Sequence, residues 1–282
     1  MKFQIDHDLH IHSYISPCAK HDPRQTPEAI LAYGIASGYG LLCVADHIWD
    51  RKVPSVERNP WLRSGLDVEK AKELLPLPRS QKCTLLFGIE ADIDHRGSLA
   101  LSREEFDTFD FIILSPSHLH LKGFTRDPER VGTTAIELKR YYQKRLTELL
   151  ERDLPFHKCG LAHFTDCLRS DEGRVAVLDL FSDGELREIF SLAALRGIGI
   201  EINVGHFSSY SPEEKESILR PFHIAKEAGC RFYLGSDAHT PEGFWKKKEE
   251  LTLLVELLGL TESDKHPFVR EHLPSPAPGA EG

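Results

Sequence analysis

Short apolar runs recur along the chain, and most of them lead into an ionisable residue where a simple turn would be ordinary. Residues 2–11 read as a first strand running into His12. Leu41-Leu42-Cys43-Val44-Ala45 is apolar at every position, as in a strand covered on both faces, and it ends in Asp46-His47. The pattern returns at 83–89, ending in Glu90, at 109–114, leading to Ser117-His118, and at 159–162, running into His163. It returns again at 198–202, followed by Asn203, and at 232–235, followed by Ser236-Asp237-Ala238-His239. Between these runs, helical patterns are predicted over 134–151, 183–195, 212–228 and 246–258. An earlier helix announces itself by its start: Thr26-Pro27-Glu28 offers an N-cap, a proline at the first helical position and an early acid, and Gly38 stops it.

Strands alternating with helices predict a parallel α/β sheet with right-handed crossovers, and seven strands come close to closing a barrel. Two connections are longer than their neighbours, 48–64 and 119–133, and both follow the carboxyl ends of strands, where parallel α/β folds place their sites. The tail at 273–279 is rich in proline and other residues that do not pack, and is expected to be disordered.

At 282 residues and 40% hydrophobic, the chain is long enough to bury a large core. No early stretch reads as a signal peptide and no run reaches the roughly 18 apolar residues of a membrane span, so a cytoplasmic protein with no membrane partner is expected. The six cysteines contain no CxxC pair, which points to reduced thiols rather than disulfides. A net charge of -9 opposes strong general binding of nucleic acid, whose affinity comes from neutralised phosphates. Fifteen histidines are the unusual count, and their positions carry the chemistry.

On a regular strand Asp8, His10 and His12 would share one face, a poor core but a good platform for zinc, iron or manganese. One such motif is more often a pair of surface histidines. The set is different: Asp8, His10, His12, Asp46, His47, Glu90, His118, His163, Asp237 and His239 all stand at strand ends, so a closed barrel would bring them to one point. In chain order, Asp8-Leu9-His10-Ile11-His12-Ser13, Ala45-Asp46-His47, Phe87-Gly88-Ile89-Glu90, Ser115-Pro116-Ser117-His118, Leu161-Ala162-His163 and Gly235-Ser236-Asp237-Ala238-His239 resemble the motifs of the PHP superfamily, named for polymerase and histidinol phosphatase. The resemblance runs from about residue 5 to residue 245.

That resemblance implies a distorted (β/α)7 barrel as a single domain over 1–264, with 265–282 a largely disordered tail. It also implies two to three divalent ions, zinc, manganese or iron, at the carboxyl ends of the strands. Carried over by position, one ion falls to His10, His12, Glu90 and Asp237, and Glu90 bridges to a second with His118 and His163. A third falls to His47, His239 and a residue of the loop after His12, where Asp22 is preferred over His21 and Cys18. Asp8 and Asp46 are expected to orient ligand imidazoles, and His47, His239 or a water to protonate the leaving group.

The expected reaction is phosphoester hydrolysis of a small phosphorylated metabolite by metal-bound hydroxide, with a histidinol-phosphatase-like monoesterase as the nearest pattern. Arg51, Arg126, Arg130 and His206 are the candidates for holding substrate, with Lys52, Arg63 and Lys122 beside them, while Trp49 and Trp61 are more readily loop anchors than stacking platforms. A nucleotide phosphodiesterase or exonuclease would need an open basic groove. A non-catalytic, metal-stabilised interaction module and a hydrolase of C–N bonds are the readings from other classes.

Overall fold

The apolar runs become seven strands that pair in parallel and in chain order: β1 (His7–Ile11), β2 (Leu41–His47), β3 (Thr84–Asp92), β4 (Phe111–Ser115), β5 (Cys159–Leu161), β6 (Gly199–Ile202) and β7 (Arg231–Leu234). The computed structural model describes residues 1–274. The sheet curls until the chain after β7 meets β1: Ile11 and Ala238 bridge in parallel, His12 N–H donates to Ala238 O at 3.0 Å, and Asp237 N–H donates to His10 O at 2.8 Å. The result is a distorted (β/α)7 barrel of one domain, nearly closed, with its seam bridged where the last histidine motif meets the first.

The helices are α1 (Pro27–Ala36), α2 (Pro60–Arg63), α3 (Val68–Lys72), α4 (Ala135–Leu150), α5 (Ala176–Asp179), α6 (Asp183–Arg196), α7 (Pro212–Glu227), α8 (Pro241–Leu257) and α9 (Pro267–His272). Thr26 caps α1, its hydroxyl accepting from Ala29 N–H, and Ser182 and Ser211 close reciprocal capping boxes with Glu185 and Glu214. α8 starts five residues earlier than its apolar periodicity predicts, because Thr240-Pro241-Glu242 repeats the start signal of α1 and Thr240 accepts from Gly243 N–H. Gly197 ends α6 at φ 75°, a left-handed conformation that costs glycine little.

Two hydrophobic layers separate cleanly. Ile89, Leu114, Leu161, Ile200 and Phe232 face outward into the shell between barrel and helices, whereas Leu9, Cys43, Leu86, Phe111, Ile113 and Tyr233 fill the barrel interior. Phe268 and Val269 of α9 join that interior cluster, and Phe268 stands 4.8 Å from the Phe111 ring, plugging the end where the strands begin. The expected boundary at 264 is thereby corrected. Lys265 is buried and held by Asp6 and Glu262, and α9 completes the barrel floor. Of the expected tail, only 275–282 lies outside the described residues. Among the described residues, no helix is long and apolar enough to cross a membrane.

With the floor closed by Phe268 and Val269, the cluster of histidines and acids that the strand ends supply gathers at the other mouth. One irregularity matters there. The register of β1 against β2 shifts between Asp8 and Ile11, so Leu9 packs inside the barrel while His10 and His12 still reach the centre. The strict alternation that would align Asp8 with both histidines is broken.

Candidate metal centre

Glu90, near the end of β3, is the hub. Its Oε2 lies 3.1 Å from His10 Nε2, 3.4 Å from His12 Nε2 and 3.0 Å from His47 Nε2. Its Oε1 lies 3.1 Å from His163 Nε2 and 3.5 Å from His118 Nε2, and accepts the Ser115 hydroxyl at 2.6 Å. One carboxylate thus faces two histidine sets, one through each oxygen. Asp237 joins the first set, 2.9 Å from His12 Nε2 and 3.6 Å from His10 Nε2. Among the described residues, four groups of donor atoms gather close enough to hold an ion: His10, His12, Glu90 and Asp237; His47, Glu90 and His118; His118, His163 and Cys167; and His12, Cys18 and His47.

The electrostatics are those of a cation site. Burial works against charging His10, but Glu201, Glu90 and Asp237 around it hold its pKa well above the ordinary imidazole range. For Glu90, burial is likewise outweighed, by His47, His10 and His118, and its carboxyl titrates well below the usual range. Burial is outweighed at His118 too, where Asp92 and Glu90 push the pKa up to about 9.

The protein atoms alone leave this site incomplete. His10 Nε2 faces Glu90 Oε2 at 3.1 Å without the alignment of a hydrogen bond, and His12 Nδ1 is buried 3.8 Å from Asp46, so buried imidazole nitrogens lack full partners here, at a cost of about 1–3 kcal/mol for each group left unsatisfied. Imidazole and carboxylate donors fit divalent ions. The backbone is also strained around the centre: His163, Cys167, His206 and Asp237 are non-glycine residues at φ 21°, 62°, 55° and 53°. Such conformations cost on the order of 1–3 kcal/mol each and persist only where the surroundings enforce them.

Several expected roles change. Asp8 does not orient an imidazole; its Oδ1 accepts the backbone N–H groups of His10 and Ser236, and burial pushes its pKa up to about 6. Asp46 accepts Ser13 N–H and the Ser13 hydroxyl, and its carboxylate stops 3.8 Å from His12 Nδ1. The imidazoles are oriented by two acids outside the motifs and by one motif serine. Glu201 accepts from His10 Nδ1 at 2.7 Å and from His163 N–H at 2.7 Å, Asp92 accepts from His118 Nδ1 at 2.7 Å, and Ser117 Oγ is 2.7 Å from His163 Nδ1. Asp92 stands two residues beyond Glu90 on one strand, and Glu201 lies between two isoleucines in β6, so a buried acid inside an apolar run was the available signal.

Asp22 is not part of the cluster: its carboxylate is taken by Arg24, which also pairs with Glu242. His21 is exposed, with its ring against Tyr14 O. The loop residue that reaches the imidazoles is Cys18. His239 stacks on His12 with ring centroids 4.4 Å apart and is oriented by Asp237 O, one third of its side chain open to the mouth. Trp61 stacks on His47 at 4.1 Å and donates to Asp92, while Trp49 is buried, so both tryptophans are internal supports.

The arginines expected to hold substrate are engaged elsewhere. Arg51 pairs with Asp67, buried Arg126 staples the carbonyls of Leu119, Val131 and Gly132, and exposed Arg130 lies near Asp127. His206 does flank the centre. It borders a cavity of about 380 Å³ lined also by His120, Asp166, Arg169, Arg174 and Tyr210. A neighbouring cavity of about 360 Å³ shares His206 and Asp166 and reaches Asp237, His239 and Lys246. Arg174 lies 4.2 Å over the Tyr210 ring.

Comparisons with other proteins follow the same outline. The sequence matches the family profile described as PHP domain over residues 8–205, well over half of the chain. A search of curated proteins gave no match. Among solved structures, similarity extends to the histidinol phosphate phosphatase of Lactococcus lactis, in complex with zinc, L-histidinol and phosphate, at 18% identity and a TM-score of 0.57, covering 92% of this chain and 98% of that one. It extends also to a Listeria monocytogenes protein described as a histidinol phosphatase, at 16% identity and a TM-score of 0.58, covering 84% and 97%. At these identities the likeness establishes a shared fold.

Proposed function

The chain belongs to the PHP domain family and is a metal-dependent phosphoric ester hydrolase, and we propose that it removes the terminal phosphate from a small phosphorylated metabolite, as a histidinol phosphatase does. The observation that carries this reading is the two-sided Glu90 hub opening onto small cavities that contain both signs of charge. Bound divalent ions, two or three of zinc, manganese or iron, would lower the pKa of water and screen the phosphoryl oxygens.

The protein supplies the rest. His10, His12, Glu90 and Asp237 would hold one ion, and Glu90 Oε1, with His163 Nε2 at 3.1 Å and His118 Nε2 at 3.5 Å, would share in holding another. Arg169 and Arg174 offer cations to the phosphate, arginine being suited to its fork of oxygens. Asp166 offers the anion that an amino group on the same metabolite would seek, and L-histidinol phosphate carries both groups. In this reading His239, one third exposed at the mouth, is a candidate with His47 or a water to protonate the leaving oxygen. Cavities of this size suit a small ligand better than a polynucleotide, and with a net charge of -9 they favour a monoester over a nucleic-acid strand. The six unpaired cysteines accord with the cytoplasm as the proposed setting.

The test is phosphate release from histidinol phosphate, a generic aryl phosphate and a dinucleotide, each with zinc, manganese and iron. Histidinol phosphate is expected to be cleaved fastest, with Glu90→Ala and His12→Ala reducing the rate by about 100-fold or more and Arg174→Ala raising KM chiefly. Faster cleavage of the dinucleotide would replace this reading with a phosphodiesterase.

A further inference from the structure

The loop between β1 and α1 carries the feature that the proposed function leaves unused. Cys18 Sγ and one ring nitrogen each of His12 and His47 lie within 4.8 Å of one another, and Cys18 also faces the imidazole of His239. One nitrogen of these rings, His12 Nδ1, is buried and unpartnered, while His47 Nδ1 is held 3.1 Å from Asp92 Oδ2. The thiol itself is half-buried, with Ser16 Oγ at 2.7 Å as its near neighbour in the loop.

The loop holds Cys18 in that place. Tyr14 N–H donates to Gln25 O, Ala19 N–H donates to Ser16 O, and the Gln25 amide reaches back to His12 O, tying both ends of the loop to the end of β1. Directly after Ala19 the chain turns through two consecutive left-handed residues, Lys20 and His21, each at φ 53°. Neither is glycine, so the turn is paid for by what surrounds it. The turn carries Asp22 away to Arg24 and leaves sulfur, where an oxygen donor was within reach in sequence, facing the imidazoles.

We propose that Cys18 supplies a sulfur ligand at the His47 edge of the centre, making that ion position thiophilic, so that it takes zinc in preference to manganese. Thiolate and imidazole together suit zinc, whereas manganese favours oxygen donors. On ligation the thiol proton leaves to solvent as the ion binds, with no change in oxidation state. The proposal rests on the metal-dependent reading above and adds to it the chemical identity of one donor.

Cobalt(II) reports sulfur ligation directly, through a thiolate-to-metal charge-transfer band that imidazole and carboxylate ligands do not produce. The full chain is stripped with chelator and titrated with cobalt as wild type, Cys18→Ser and Cys167→Ser, with circular dichroism as the check on folding. The band is expected in wild type and in Cys167→Ser and is expected to vanish in Cys18→Ser. A band that survives in Cys18→Ser, or that vanishes only in Cys167→Ser, overturns the assignment, and so does cobalt bound without the band.

A second measurement needs no variant. Iodoacetamide labelling of Cys18 in the wild type, read by mass spectrometry, is expected to slow by about tenfold or more when zinc is present and to change little with manganese. Equal labelling in protein that demonstrably carries zinc overturns the proposal. Protein that binds no divalent ion at all overturns instead the metal-dependent reading on which it rests.

Discussion

Each oxygen of Glu90 answers a different group of imidazoles, and each of those rings needs its other nitrogen tied down to keep its position. Glu201 has the most demanding share of that work, since one carboxylate oxygen takes His10 Nδ1 and the other takes the His163 backbone N–H. Glu201→Gln keeps the shape but must point an N–H at one of two existing donors. It is expected to weaken metal affinity by about 10- to 100-fold with the fold retained, as outer partners of metal ligands do, and calorimetric titration with zinc measures it. Unchanged affinity would show that the ring is held by packing alone. Gly235 belongs to the same arrangement, because a Cβ there would run into the Glu201 carboxylate and the His10 Cβ, so close approach of backbone to ligand requires glycine.

Among the elements, α9 has the clearest physical role. Its six residues are too few to form a stable helix alone, yet Phe268 and Val269 are buried at the barrel floor against Phe111 and Tyr233. Phe268→Ala leaves a cavity between an otherwise packed floor and the polar mouth above, and should cost about 3 kcal/mol or more, read as a lower denaturant midpoint at unchanged slope. A change near zero would mean that α9 lies on the surface of the barrel rather than within it. In sequence it reads as part of a tail, because Pro267-Phe268-Val269 is short and proline after 273 dominates the composition around it. The strands were legible because buried parallel strands are continuous apolar runs. Their ends were less so, and β1 runs only from His7, with Lys2 bridging Thr261 instead.

For the molecule as a whole, the polar mouth is a liability without its ions. Buried imidazoles and carboxylates are costly to desolvate, and a ligand that binds only the folded chain adds stability by mass action. Removal of metal by chelator is therefore expected to lower the thermal midpoint, by an amount corresponding to about 4 kcal/mol when the ions were held roughly 1,000-fold above their dissociation constants. Restoring zinc should recover the midpoint. A thermal midpoint indifferent to chelator would mean that the orphaned nitrogens are satisfied in some other way.

The sequence by itself determined the barrel and the cast of its mouth, because both rest on local features: apolar runs of strand length, helical periodicity, the Thr26-Pro27-Glu28 start signal, and histidines and acids at strand ends. Tertiary structure alone decided which of those residues meet. The role of Asp8 turns on a register shift that cannot be read from a single strand, and Arg51 and Arg126 meet Asp67 and loop carbonyls that only the folded loops bring within reach. The choice of Cys18 over Asp22 belongs there too. Only Ala19, Lys20 and His21 separate them, and the folded turn at Lys20 and His21 sends one toward the imidazoles and the other toward Arg24.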